Sequence, residues 1–195
     1  DLEENPFTQF DKWWKEAIAS NIDEVNAMTL CTSSSQGQPS ARIVLLKGYD
    51  DCGFTFFSNY ESHKAQDMEE NNQVALLFFW KELQRQIRIE GVVKKITAEE
   101  SDAYYNSRPE GSKLGAWAAP QSRVIESRKE LEEKVKAVTE QFKDKAIERP
   151  QNWGGYKVEP QSIEFWQGRE SRYHDRFQYA RQQSKSGWSL ERLAP

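Results

Sequence analysis

The sequence predicts a mainly β fold, an antiparallel barrel with added helices, in one domain spanning residues 1–195. Three observations carry that expectation. Strand-like runs follow one another through short turns, helical patterns are inserted rather than alternating with them, and residues 84–96 alternate cleanly between polar and apolar. Neither Gly-x-Gly-x-x-Gly nor Gly-x-x-x-x-Gly-Lys occurs, which disfavours a doubly wound nucleotide-binding sheet.

Asn5-Pro6 is an N-cap followed by proline at the first helical position. Phe7, Phe10, Trp14 and Ile18 then recur at helical spacing, which predicts a helix over about 6–20. Residues 27–33 and 40–49 read as strands joined by a turn at 34–38, a hairpin. A second turn at 50–53 leads into a strand at 54–58 and a short polar helix over about 61–71. Residues 73–80 are a nearly continuous apolar run, which predicts a strand buried on both faces. Beyond it, Ile87, Ile89 and Val93 fall on one strand face and Gln86, Arg88 and Glu90 on the other.

Thr97 and Glu100 form a capping box for a helix over about 97–107, which Pro109 ends. Leu131, Val135, Val138 and Phe142 mark a second long helix, about 126–144, with Glu130–Lys134 and Glu132–Lys136 as exposed pairs. Strands are expected at 156–158, 163–166, 176–181 and 188–192.

Composition narrows the function. A mean hydropathy of -0.88 alone would fit disorder, but seven Trp and ten Phe argue for a packed core. The net charge of -4 removes a global electrostatic case for nucleic acid. Cys31 and Cys52 have no cysteine or histidine at ligand spacing, so neither a disulfide framework nor a metal site is expected. No apolar run reaches spanning length and no signal peptide is visible, so no membrane partner is expected. A cytoplasmic setting is the expectation. The start at Asp1 without Met leaves a lost leader, and a mitochondrial setting, open.

The densest chemistry is Arg172-Tyr173-His174-Asp175-Arg176, just after Trp166-Gln167-Gly168. In an extended chain Arg172, His174 and Arg176 share one face, two cations beside one of only two histidines, an arrangement suited to an anionic ligand whose proton must be managed. A solvated edge strand would show the same pattern, but the aromatic and the glycine turn upstream favour a pocket wall. Arg42 and Lys47 interrupt an apolar strand, and their spacing puts them on opposite faces, serving two anions or one site across a bulge. Phe57 to Lys64 is a strand end entering a helix start, where backbone N–H groups, a hydroxyl and a cation could seat a phosphate; a serine cap with a solvated lysine is the commoner case. Tyr104, Arg108 and Ser112 recur every four residues and could grip a second phosphate, or simply mark a surface helix end. Gln121-Ser122 says nothing by itself. These spots together fit a bound organic cofactor, which supplies reactivity the side chains lack.

The segments Arg42-Ile43-Val44-Leu45-Leu46-Lys47-Gly48, Arg85-Gln86-Ile87-Arg88-Ile89-Glu90-Gly91, Ser107-Arg108-Pro109, Trp153-Gly154-Gly155, Glu164-Phe165-Trp166-Gln167-Gly168 and Glu191-Arg192-Leu193-Ala194-Pro195 resemble the pyridoxamine 5′-phosphate oxidase family. The resemblance runs in order from about Phe7 to Pro195. It implies a homodimeric split β-barrel with FMN in clefts between subunits. The implied reaction oxidises pyridoxamine or pyridoxine 5′-phosphate to pyridoxal 5′-phosphate, with net hydride transfer to flavin and reoxidation by oxygen to give hydrogen peroxide. It assigns Arg42, Ile43, Val44, Leu45, Phe57, Ser58, His63, Lys64, Gln86, Gln121, Ser122, Trp166 and Arg176 to FMN. Lys47, Tyr104, Arg108 and Ser112 fall to the substrate phosphate, Arg172 and His174 to the substrate ring as the catalytic pair, and Tyr173 to the substrate.

Two departures stand out. His63-Lys64 replaces the family's usual Arg-Lys, making one fixed charge titratable, and little of the family's substrate-covering upstream segment is present. The rival readings are a non-catalytic flavin or pyridoxal 5′-phosphate carrier on the same fold, and a nucleic-acid-binding barrel, which the scattered basic residues disfavour.

Overall fold

In the computed structural model, which describes residues 2–182 and 187–195, the first half runs α1 (Pro6–Ala19), β1 (Ala27–Ser33), β2 (Pro39–Leu45), β3 (Gly48–Asp50), β4 (Gly53–Asn59), α2 (His63–Glu70), β5 (Gln73–Trp80) and β6 (Arg85–Lys95). The second half runs α3 (Ala98–Ser107), α4 (Glu110–Ala118), α5 (Arg128–Gln141), β7 (Trp153–Gln167), β8 (Asp175–Arg181) and β9 (Trp188–Leu193). The strands pair antiparallel in the order β2-β1-β5-β6-β7-β4-β3, with β8 on β7 and β9 on β8. This mainly antiparallel sheet curls into a half-barrel carrying the helices, as the sequence predicts.

The strand β7 holds the sheet together. One edge lies along β6, while the other pairs first with β4 over Trp153–Val158 and then with β8 over 162–167. Pro160 falls between those two partners, where its missing N–H costs no ladder bond on that edge. Opposite it the register with β6 shifts at Glu90/Gly91. A Cβ at Gly91 would stand 2.2 Å from the Glu159 carbonyl oxygen, so the bulge requires glycine. The sequence pattern had shown two strands here, at 156–158 and 163–166; the bulge breaks the alternation without ending the strand.

Helix α1 fills the concave side. The Asn5 side chain accepts the Phe7 N–H at 2.8 Å, giving the expected cap. Phe10 packs edge-on against Phe54, Tyr49 and Phe78, and Trp13 against Phe165. Leu30, Leu76, Ile87, Ile89 and Ile163 complete this core. The capping box of Thr97 and Glu100 is present, with both reciprocal bonds formed.

Several expectations need correction. The strand β5 is buried on one face only: Val74, Leu76, Phe78 and Trp80 face the core, whereas Phe79 is 59% exposed. Its apolar outer residues belong to the open face of the sheet. Residues 40–49 split into β2 and β3, because the Leu46 and Lys47 N–H groups turn away to the Asn26 and Thr55 carbonyls. Pro109 ends α3 and also caps α4, a helix the sequence reading lacked. No residue of α5 is buried, so its apolar stripe contributes little to the core. Arg172 sits in a 3₁₀ turn with left-handed backbone (φ 65°), before β8 begins at Asp175. Arg172, His174 and Arg176 therefore do not share a strand face. Among the described residues no helix is long and apolar enough to cross a membrane.

Candidate functional site

A cavity of about 460 Å³ collects residues from β2, β4, α2, α3, α4 and β7. Ile43, Val44, Leu45, Lys47, Phe57, Ser58, Lys64, Tyr104, Arg108, Pro109, Ser112, Gln121 and Trp153 line it. A larger hollow of about 680 Å³ between α4 and the end of α5 mixes Lys113, Lys143 and Lys145 with Glu110, Glu140 and Asp144. Its charges offset one another, and no sequence candidate lies in it. The smaller cavity is the candidate site.

One corner of it is built on cations and hydroxyls. Lys64 Nζ donates to Gln121 Oε1 at 2.8 Å, Ser58 Oγ at 3.1 Å and Ser62 Oγ at 3.3 Å. No carboxylate neutralises it among these contacts. Burial and then the Arg42 charge push its ammonium down to about 8. Arg42 donates to Thr32 Oγ1 and Ser40 Oγ, both at 2.6 Å, and lies 3.8 Å from the buried Asp67. Thr32 in turn donates to Asp67 at 2.5 Å, so Arg42 is held from below. His63 Nε2 is 3.7 Å from Asp67, with its side chain 63% exposed. Ser122 stands exposed beside Gln121 with left-handed backbone (φ 68°).

The opposite corner is aromatic. Phe57 stacks on Tyr104 with centroids 3.9 Å apart and on Trp153 at 5.4 Å. The Arg108 guanidinium lies over the Trp153 ring at 4.5 Å and over Tyr105 at 5.7 Å. Its Nη1 is buried without a hydrogen-bond partner among the described residues, and burial lowers its pKa from the ordinary value. A buried, unpaired donor is costly, and an incoming anion would satisfy it. Lys47 and Ser112 line the same cavity.

Arg42, His63 and Ser122 adjoin lining residues without lining the cavity themselves, and Gln86, Trp166, Arg176, Arg172, Tyr173 and His174 do not line it either. Gln86, Trp166, Arg176 and Leu193 form one cross-strand row over β6 to β9. The next row runs Ile43, Thr29, Leu77, Arg88, Glu164 and Gln178 from β2 to β8. Rows two residues apart share a sheet face, so these residues and the exposed Ile43, Leu45 and Phe79 stand on the same outer surface. Glu164 is buried there beneath Arg88 and Arg176, accepting from Arg176 Nε at 2.8 Å. His174 packs on Trp166 at 4.7 Å and its Nδ1 accepts the Arg169 N–H, while Tyr173 is 77% exposed. A Cβ at Gly168 would press on Gln84 at 2.9 Å, which fixes the tight turn before them.

A family model described as "Pyridoxamine 5'-phosphate oxidase" matches residues 14–142, and one described as "Pyridoxine 5'-phosphate oxidase C-terminal dimerisation region" matches 153–195. The chain belongs to the pyridoxamine 5′-phosphate oxidase family. It is 56% identical to the pyridoxine/pyridoxamine 5′-phosphate oxidase of Burkholderia cenocepacia, covering all of this chain and 91% of that protein. The protein of the same name from Salinibacter ruber is 52% identical over 98% of this chain and 90% of its own length. Among solved structures, PhzG from Burkholderia lata, in complex with tetrahydrophenazine-1-carboxylic acid, superposes with a TM-score of 0.94 at 27% identity. That match covers all of this chain and 95% of that one. A pyridoxamine 5′-phosphate oxidase-related, FMN-binding protein from Nostoc punctiforme shares the fold, with a TM-score of 0.72, covering 93% of this chain and 97% of that one. Membership places the chain among oxidoreductases.

The sequence reading of this oxidase-family chain gave no role in the site to Pro109 or Trp153, although both line the cavity. Trp153 had a legible signal, an aromatic opening a Trp-Gly-Gly step. Gly154 and Gly155 are there because Tyr60 and Ile96 press within 2.3 Å of where a Cβ would stand.

Proposed function

We propose that this chain oxidises pyridoxine 5′-phosphate, and pyridoxamine 5′-phosphate with uptake of water and release of ammonia, to pyridoxal 5′-phosphate with bound FMN, passing the electrons to oxygen as hydrogen peroxide. The observation that carries this reading is a single cavity with two separate anion corners, one around Lys64 and one around Arg108. Two phosphates, one on cofactor and one on substrate, match that layout. The donors present fit FMN: Lys64, Arg42, Ser58 and the nearby His63 would hold its phosphate, with Gln121 and Ser122 beside them. The segment Ile43 to Leu45, on an edge strand, would border its ring with Phe57. FMN supplies the two-electron acceptor.

Lys47, Tyr104, Arg108 and Ser112 would take the substrate phosphate. Binding both phosphates orients the substrate for reaction, which is most of what the pocket contributes. Gln86, Trp166 and Arg176, assigned to FMN, and Arg172, Tyr173 and His174, assigned to the substrate, lie outside the cavity of one chain. A second copy docked on this outer face would bring its own set to this cavity, and the whole chain would act as one domain completed by dimerisation. His174 would then hydrogen-bond a ring substituent, with Arg172 against the ring.

Oxygen uptake with pyridoxamine 5′-phosphate and added FMN tests the reading. A protein that binds flavin and pyridoxal 5′-phosphate without oxygen uptake would be a carrier. The PhzG likeness supports a second substrate class, so tetrahydrophenazine-1-carboxylic acid belongs in the same assay. Turnover of that acid alone would reverse the assignment.

The wild-type protein is expected to sediment as a yellow dimer. Phe79, 59% exposed on the outer face, is its sensitive point. Phe79→Glu places a charge in that contact and is expected to shift the protein to a monomer with weakened flavin binding. Sedimentation with simultaneous flavin absorbance checks both, and a yellow Phe79→Glu dimer would remove this face from the interface.

The Lys64 corner predicts a pH dependence. Folding lowers this ammonium from the ordinary 10.5 to about 8, so between those values the native chain binds fewer protons than the unfolded one. Its penalty on stability is therefore present below about 8 and is lost as pH rises toward 10.5. An anion beside Lys64 favours the charged form, so above about 8 phosphate binding takes up a proton. FMN affinity is expected to fall there by up to about tenfold per pH unit. Lys64→Arg should flatten that limb and His63→Arg should leave it in place. Fluorescence titrations of the apoprotein across alkaline pH check the assignment.

A further inference from the structure

Arg108 differs from most arginines of this chain in what supports it. Arg42, Arg85, Arg88, Arg149 and Arg176 each have a carboxylate within 4 Å. Among the described residues Arg108 has no such partner, and its buried Nη1 has no hydrogen bond. A guanidinium taken partly out of water must be held by something, and here the contacts are aromatic: Trp153 at 4.5 Å and Tyr105 at 5.7 Å.

Trp153 is itself well fixed. It is 7% exposed and opens β7, paired with Asn59. Its carbonyl accepts from Arg149 Nη1 at 2.7 Å, and Arg149 Nε reaches Asp102 of α3 at 2.6 Å. Arg108 directly follows the same α3 as its C-cap, so the indole and the guanidinium are tied to one frame. Tyr105, whose hydroxyl donates to the Lys113 carbonyl at 3.0 Å, packs edge-on against the indole at 5.3 Å. A carboxylate would hold Arg108 equally well but would repel an incoming phosphate. An aromatic face holds the cation without neutralising it, leaving charge and donors for the ligand.

We propose that Trp153 is a positioning residue for substrate-phosphate capture, acting through Arg108 as a neutral support for its desolvated guanidinium. This rests on the assignment of Arg108 to the substrate phosphate. Trp153→Leu in the FMN-loaded protein is expected to weaken pyridoxal 5′-phosphate binding roughly tenfold. The loss should fall on KM for pyridoxamine 5′-phosphate rather than on kcat. Trp153→Phe keeps a ring of weaker face potential and is expected to lose only about threefold.

The deciding measurement is a double-mutant cycle with Arg108→Ala, read as equilibrium binding of pyridoxal 5′-phosphate to the FMN-loaded proteins. In the Arg108→Ala background the Trp153 substitutions should cost nothing further. A loss that persists there overturns the proposal, as does wild-type affinity in Trp153→Phe, or a loss of FMN with pyridoxal 5′-phosphate binding intact. If Trp153→Leu does not fold, Trp153→Phe carries the cycle alone. If Arg108→Ala itself leaves binding untouched, it is the phosphate assignment of Arg108 that fails, a result distinct from additivity between the two residues.

Discussion

Arg108→Ala is expected to raise KM for pyridoxamine 5′-phosphate roughly thirty- to a hundredfold while FMN affinity stays unchanged. The magnitude follows from losing charge-assisted hydrogen bonds to a phosphate, about 2–3 kcal/mol. In the unliganded chain the Arg108 side chain has a buried donor without a partner, so removing it breaks no intramolecular bond at that atom. The effect should therefore appear in ligand affinity more than in stability. Its selectivity follows from the layout, because the Lys64 corner is held through Ser58, Ser62 and Gln121, none of which bonds to Arg108. Arg108→Lys should recover only part of the loss, since an ammonium lacks the planar fork and stacks less well on Trp153. Steady-state kinetics beside an FMN titration separate the outcomes. A variant that loses FMN and keeps its substrate affinity would exchange the two corners.

What the sequence made legible was local chemistry. The cap at Asn5, the box of Thr97 and Glu100 and the alternation leading through Ile87 and Ile89 depend on neighbours a few residues apart, and all are present. The cavity residues were found in separate strands and helices, but their meeting was supplied by resemblance. Nothing in the spacing of Lys64 and Gln121 shows that they approach to 2.8 Å. Face assignments failed where a segment's covering lies outside the chain's own core. Phe79 and Leu77 read as buried because they are apolar, yet they belong to the outer surface. Arg172 and His174 were placed on one strand face because the pattern fits one. The left-handed residues Ser171 and Arg172 break that geometry, and neither is a glycine that would have announced it. Trp153 went unassigned because its role depends on Arg108, which is brought to it by α3.

Glu164 is expected to be the most sensitive position on the outer face. It is 5% exposed and accepts hydrogen bonds from Arg88 Nη1 at 3.1 Å and from Arg176 Nε and Nη2 at 2.8 and 3.2 Å. One carboxylate thus compensates two guanidiniums on adjacent strands, and it holds the Arg176 charge above its ordinary range. Glu164→Ala leaves Arg88 with Glu90 at 2.6 Å but leaves Arg176, among the described residues, with only the Ala194 carbonyl at 2.9 Å. Removing one partner of a buried ion pair destabilises by about 3–5 kcal/mol. Partial exposure of both arginines reduces that here to about 2–3 kcal/mol. Glu164→Gln should not rescue the loss. It keeps the shape, but one end of the amide becomes a donor facing guanidinium donors. Denaturant unfolding of the apoprotein at one fixed protein concentration gives the answer, as a lower midpoint at unchanged slope. With Arg176 released from its carboxylate, flavin binding should weaken as well in both variants. An unfolding midpoint equal to wild type in Glu164→Ala would mean that Arg176 holds its place on β8 without this carboxylate.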